Sequence, residues 1–284
     1  MTEVTRAAVV QMVSGAEVSG NLEQAGKGID AAVRQAADLV VLPENFACMG
    51  RREGDVLAVG EADGTGPIQA FLADTARAHG ITLVGGSVPL KGPEPDRVRP
   101  ACLVYGPDGT RLARYDKRHL FDVALADGEG YRESATFAPG DRPVTVTTPA
   151  GRLGLSICYD LRFPEHYRAL VDQGAEILLA PSAFTATTGA AHWSVLVRAR
   201  AIENLCFMVA PGQGGQHASG RATHGESLIV NAWGEVQARC PVGGGPDVAV
   251  ADLNRGALPA LRAQFPALSH RLTPGGDSRD TPPG

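Results

Sequence analysis

Residues 39–42, Leu-Val-Val-Leu, form an apolar run with no polar face. A strand of this kind must be covered on both sides, so it belongs inside a sheet with other layers packed against it. The neighbouring segments meet that demand. Residues 7–11 read as an earlier strand, and between the two a helical face carries Leu22, Gly26, Ile29, Val33 and Ala37, with Asn21 placed to cap it. Thr65 and Pro67 open a second helix with Ile68, Phe71, Leu72, Thr75 and Ala76 along one side and Gly80 at its end. Residues 81–88 are again strand.

Two further strands, 101–105 and 110–115, flank Gly106-Pro107-Asp108-Gly109 and so predict a β-hairpin. The polar stretch from Asp116 to Pro139 that follows is too long for an idle connection and reads as a functional loop. Strands are then expected at 144–148 and 153–157, a helix at 164–173, a strand at 176–180, an amphipathic helix at 192–204 and a strand at 206–210. Segments 225–231 and 247–253 add strands, with a short helix after Asn254. Alternation of strand and helix predicts the α/β class, and the hairpin makes the sheet mixed. Residues 1–270 read as one domain, and 271–284, rich in Pro, Gly and Asp, as a disordered tail.

The chain has 284 residues, of which 44% are hydrophobic, and a formal net charge of -5 without a dense Lys/Arg patch. That balance argues against nucleic acid or an anionic membrane as partner and leaves a small molecule or another protein. Polar residues follow Met1, and no apolar run reaches membrane-spanning length, so a cytoplasmic protein is expected. The five cysteines, at 48, 102, 158, 206 and 240, are odd in number with no close pair, which suits reduced thiols. No HExxH or zinc-ribbon spacing occurs, and no metal or organic cofactor is expected.

Cys158 falls where the strand at 153–157 ends, just before a turn into the helix at Pro164. The carboxyl edge of a sheet is where open α/β folds place ligands, and N–H groups at such a turn can face a developing oxyanion. Glu44 follows the run at 39–42, and Lys117 follows the hairpin. A thiol is a poor nucleophile until a base or a positive field turns it into thiolate, and a carboxylate and an ammonium are the groups that supply these. Spacing leaves the bland readings open. Cys158 can be a small core residue, Glu44 a helix-terminal carboxylate, Lys117 a solvated charge and His192 a core or hinge histidine. A redox role for Cys158 would need a second cysteine close in space, Cys48 or Cys206.

Three segments, 41–46 (VLPENF), 115–122 (YDKRHLFD) and 156–165 (SICYDLRFPE), resemble the Glu-Lys-Cys blocks of the nitrilase superfamily of carbon–nitrogen hydrolases. The resemblance continues through Pro181-Ser182-Ala183-Phe184, His192-Trp193 and residues 198–203. It implies a four-layer α-β-β-α sandwich of two mixed sheets with helices outside, paired into homodimers through the α faces. It also implies Glu44, Lys117 and Cys158 as catalytic residues, with Glu133 positioning the lysine and the Tyr159 N–H in the oxyanion site. Arg162 and Phe184 become candidate substrate contacts, and an ion pair of Arg162 with Asp160 or Glu165 is the competing expectation. Cys158-Tyr159-Asp160 resembles the amidase-type Nit branch, and Gln213 to His217, Arg221 and residues 224–227 resemble its deaminated-glutathione-cleaving group. Glu226 and His224 depart from that group's pattern. The implied reaction is hydrolysis of a small anionic amide through a thioester; the alternatives are an ω-amidase acting on 2-oxoglutaramate, an N-carbamoyl amine hydrolase, or a catalytically silent binding protein.

Overall fold

In the computed structural model, which describes residues 3–52, 54–124 and 130–272, two sheets pack face to face with helices on their outer sides. The strand Val4–Gln11 shows how one sequence serves both interfaces. Ala7 and Val9 are buried with Leu153, Leu155 and Val209 of the other sheet, whereas Ala8 and Val10 are buried with Ala25 and Ile29 of the helix Val18–Val33. Successive side chains leave a strand on opposite faces, so a fully apolar run has an inter-sheet half and a helix half. Leu39–Val41 divides the same way, with Leu39 and Val41 between the sheets and Val40 against the helices. The architecture is the α-β-β-α sandwich, two mixed sheets where the residue pattern alone predicts one.

The first sheet runs Asp247–Asn254, Val4–Gln11, Leu39–Val41, Thr82–Val84, Val98–Tyr105 and Val88–Lys91, with Arg111–Asp116 on the other edge of Val98–Tyr105. The second runs Val236–Arg239, Leu228–Val230, Phe207–Ala210, Ile177–Leu179, Gly151–Leu155 and Val144–Thr148. In each sheet three parallel strands are joined through helices and flanked by antiparallel ones. Leu39–Val41 and Gly151–Leu155 belong to these parallel sets, so Glu44 and Cys158 both leave at carboxyl ends of strands.

Several elements differ from expectation. Asn21 is not a cap, because the helix begins at Val18; its buried amide donates to the Gly15 and Ala47 carbonyls, each at 2.8 Å, and accepts from the Gly15 N–H at 2.7 Å. The buried face is Asn21, Ala25, Ile29 and Ala32, which keeps Ile29 of the expected face and leaves Leu22, Gly26 and Val33 half-buried. Close approach explains the difference: a Cβ on Gly28 would lie 2.5 Å from Val10, so the helix seats on its small residues. The polar stretch after Asp116 is not structureless but holds a hairpin, Asp122–Ala124 with Gly130–Arg132, and the 3-10 turn Glu133–Ala135. The helix expected from His192 starts at Ala186, where Thr185 Oγ1 accepts the Thr188 N–H at 3.2 Å. His192 itself is exposed and so not a core residue. The strands Gly214–Gln216, Ala222–His224 and Val236–Arg239 carry too few apolar residues to be read from pattern. The expected tail, 271–284, lies outside the described residues from 273 onward. Among the described residues, no helix is long and apolar enough to cross a membrane.

Residues 81–88 are two strands rather than one, split at Gly85-Gly86-Ser87. Both halves pair with Val98–Tyr105: Val84 faces Val104 and Val88 faces Ala101, so four steps of one strand answer three of the other. The extra residue is a bulge, and Gly86 takes φ +41° with its Cβ position only 1.9 Å from the Pro43 carbonyl oxygen. Ser87 Oγ accepts the Asn45 N–H at 2.8 Å. The bulge therefore braces the backbone on both sides of Glu44. Gly86→Ala should destabilise the protein by at least ~3 kcal/mol in urea unfolding and lower its activity. Gly64→Ala, with φ +87° but open space around its Cβ position, should cost only ~1 kcal/mol. Equal losses at the two sites would assign the effect to backbone angle rather than to the contact with Pro43.

Candidate active site

Loops at the carboxyl ends of the parallel strands enclose a cavity of about 330 Å³. Glu44, Lys117 and Cys158 all line it, together with Glu133, Tyr159, Arg162 and Phe184. The structure thus brings the seven residues that the resemblance assigns to the site into one space.

Lys117 is 1% exposed, and its ammonium meets Glu44 Oε1 at 2.8 Å and the two oxygens of Glu133 at 2.8 and 2.9 Å. Its N–H donors thus serve two carboxylates, the Glu133 one through both oxygens. Burial works to lower the lysine pKa, but Glu133 and then Glu44 outweigh it and push it up. Lys117 is therefore a fixed cation and no base. Burial raises the pKa of Glu133 against the pull of Lys117, and its carboxylate also accepts the Phe121 N–H at 2.6 Å. Glu44 is held through its backbone as well, since Gln213 Nε2 donates to its carbonyl at 3.0 Å and to Ser14 Oγ at 2.8 Å.

Cys158 has φ +47°, a left-handed conformation unusual for a non-glycine residue, at the start of the 3-10 turn Cys158–Arg162. Its backbone N–H donates to the Pro181 carbonyl at 2.9 Å, and Glu44 and the Ala183 N–H both act on the thiol electrostatically. Burial pushes the thiol pKa up, the Glu44 charge adds to that, and Lys117 opposes it. The resting group is a thiol facing a carboxylate.

The turn is fixed by Asp160. One of its oxygens accepts from Tyr115 Oη at 2.7 Å and the Ile157 N–H at 2.8 Å, and the other meets the His119 N–H at 3.1 Å and His119 Nδ1 at 2.6 Å. Burial works to raise its pKa, but these hydrogen bonds, that of His119 foremost, hold it below the usual carboxylate range. Tyr115 and His119 flank Lys117 in the chain and Ile157 precedes Cys158, so one carboxylate locks the lysine loop to the cysteine turn. The sequence offers Asp160 only as a partner for Arg162, which it is not. Among the described residues no ion pair joins Arg162 to Asp160 or Glu165; its Nη1 lies 3.2 Å from His192 Nδ1, and its guanidinium carbon lies 5.2 Å from the Phe184 ring centre.

Three rings make a strip along the cavity. Tyr131 and Phe121 have centroids 5.2 Å apart, and Phe121 and Tyr159 5.1 Å apart. Arg162 lies 5.9 Å from the Tyr159 ring centre, and Arg221 lies 4.9 Å from that of Tyr131. Sequence reasoning gives no role to Phe121, Tyr131, Gln213 or Arg221. Tyr131 stands two residues from Glu133, and Gln213 and Arg221 fall in a segment used only to choose among related groups. Cys48 lines the cavity, and its thiol pKa is raised by burial, whereas Cys206 is not among the lining residues. Among the described residues no group of three or more His, Cys, Asp or Glu side chains is disposed to hold a metal ion.

The family model for carbon–nitrogen hydrolases matches residues 6–263. A deaminated glutathione amidase from Synechocystis is 45% identical over 269 residues, covering 94% of this chain and 97% of its own. The crystal structure of the C. elegans NitFhit protein superposes with a TM-score of 0.86 at 36% identity; the match covers 94% of this chain, which spans 65% of that longer protein. An amidase from Nesterenkonia, solved with acrylamide added to its active-site cysteine, superposes with a TM-score of 0.76 at 29% identity, covering 92% of this chain and 98% of the other.

Beneath the site, His166 is buried with Nε2 3.0 Å from the Leu155 carbonyl, which only accepts, and Nδ1 3.4 Å from Arg118 Nη1, which only donates. The ring is thus neutral. Burial pushes its pKa down against the pull of Asp160, and burial lowers that of His217 as well. A histidine whose folded pKa lies below its unfolded value of ~6.5 binds fewer protons in the fold. Its contribution is complete above ~6.5 and is lost as pH falls from there toward the folded pKa. The urea midpoint should therefore drop between about pH 7.5 and 5.5, and His166→Gln, whose amide can still serve the Leu155 carbonyl, should reduce that drop. An undiminished drop in the variant would contradict the neutral assignment.

Proposed function

Since the chain belongs to the carbon–nitrogen hydrolase family, whose chemistry is hydrolysis of C–N bonds other than peptide bonds, we propose that it is a thiol amidase cleaving deaminated glutathione to 2-oxoglutarate and cysteinylglycine. The observation that carries the catalytic part is the 2.8 Å contact of Lys117 with Glu44 beside the Cys158 thiol in one cavity. Because Lys117 is kept charged, the acid–base work falls to Glu44. Its carboxylate takes the thiol proton as Sγ bonds to the amide carbon, and the carbonyl electron pair moves onto oxygen. The Lys117 ammonium and the Tyr159 N–H stabilise that oxyanion. The tetrahedral species collapses as Glu44 returns the proton to the nitrogen, the C–N bond breaks, and the amine leaves a thioester on Cys158. Water then gives its proton to Glu44 and its hydroxide to the thioester carbon. Collapse releases the acid and the thiolate, which recovers its proton from Glu44.

Charge around the cavity supports an anionic substrate. Outside the cluster of Glu44, Lys117 and Glu133, the charged lining residues among those described are Arg51, Arg52, Arg162 and Arg221. Deaminated glutathione carries two carboxylates. Arg162, resting on Phe184, suits its keto-acid end, where a planar guanidinium can bind both oxygens. The name borne by the Synechocystis relative agrees with this substrate. A cytoplasmic homodimer fits the five free cysteines and the exposed Val195, Ile202, Trp233 and Phe265.

Purified protein should release cysteinylglycine from deaminated glutathione with a higher kcat/KM than it shows for ammonia release from 2-oxoglutaramate; the reverse preference would overturn the substrate. Glu44→Gln should lower kcat by ~10²–10⁴-fold. Cys158→Ala should lose at least ~10⁴-fold, with no acyl adduct detectable by intact mass.

A further inference from the structure

We propose that Arg221 selects for a carboxylate on the departing amine, so that the enzyme favours amides that release an anionic dipeptide. The inference rests on the substrate reading above and adds which residue reads the second carboxylate. Two guanidiniums border the aromatic strip, Arg162 against Tyr159 and Arg221 against Tyr131. They diverge from neighbouring residues. Ala183, which lines the cavity with Cys158, accepts at its carbonyl from Arg221 Nη2 at 2.6 Å, and the next residue, Phe184, lies beneath Arg162. Arg221 is thereby pinned at the wall of the nucleophile's cavity.

Its remaining donors are not used up. Arg221 lines the cavity, its Nη2 donates to the Ala183 carbonyl, and among the described residues no carboxylate pairs with this guanidinium. A planar guanidinium held over an aromatic ring at the cavity wall, with no carboxylate of its own, is shaped to take one from a substrate. Arg162 shares the short turn Cys158–Arg162 with the nucleophile, which suits the short acyl arm of the substrate. Arg221 comes from the separate hairpin Gly214–Gln216 with Ala222–His224, beside its opening strand pair, and is left for the longer arm that ends in the glycine carboxylate.

The test compares kcat/KM for deaminated glutathione with that for the analogue whose glycine carboxylate is a carboxamide. Wild-type enzyme should favour the acid by about 10- to 100-fold, the range of one charge-assisted pair. In Arg221→Gln that ratio should collapse to about 1–3, whatever happens to the absolute rates, and in Arg221→Lys, which keeps charge but not the fork, it should be intermediate. A ratio near one in the wild type overturns the inference without reference to any variant, as does a wild-type ratio that persists in both variants. Failure of the wild type to release cysteinylglycine at all overturns the substrate reading, and this inference with it.

Discussion

A lysine ammonium shut away from water governs the arrangement of this site. Burying such a charge is tolerable only if opposite charges come with it, and those that meet Lys117 are brought by the fold from elsewhere in the chain. Glu44 arrives from 73 residues earlier and Glu133 from 16 residues later. Withdrawal of either would leave a desolvated charge poorly matched, so three loops that could otherwise wander share one low-energy arrangement. The supports behind Glu44, the Gly86 bulge and the Gln213 amide, then act on all three.

Asp160 does for position what Lys117 does for charge. Its four contacts come from residues on either side of Lys117 and just ahead of Cys158, on strands of different sheets. The face-to-face packing brings the carboxyl ends of two parallel strand sets to one end of the sandwich, and Asp160 turns that rough proximity into a fixed relation. Cys158 can hold its left-handed backbone because the chain on both sides of it is tied down.

The α/β class, most strands and the positions of Glu44, Lys117 and Cys158 at strand exits are legible in the sequence because apolar runs bounded by Pro and Gly are local signals. Two sheets rather than one are not, since the period-2 alternation of Val9 and Val10 says that both faces are covered but not by what. The break at Gly86 is invisible because its cause, the Pro43 carbonyl, lies 43 positions away, as the numbering shows. Asn21 reads as a cap by residue type, yet its partners at Gly15 and Ala47 make it an internal strut. Arg162 reads equally well as an ion-pair partner and as a free cation. Only the four contacts that occupy Asp160 decide between them.

At rest, the Lys117 ammonium is shared between the Glu44 and Glu133 carboxylates, and both negative charges draw on it. In the proposed mechanism this changes at a single moment. When Glu44 accepts the thiol proton its oxygens lose their charge, and the N–H they held can swing to the oxyanion forming at that instant. Proton transfer and oxyanion stabilisation then become one event seen from two atoms. An amide that binds without being attacked meets an ammonium still matched by Glu44, so the interaction discriminates in time, strengthening as the substrate reacts.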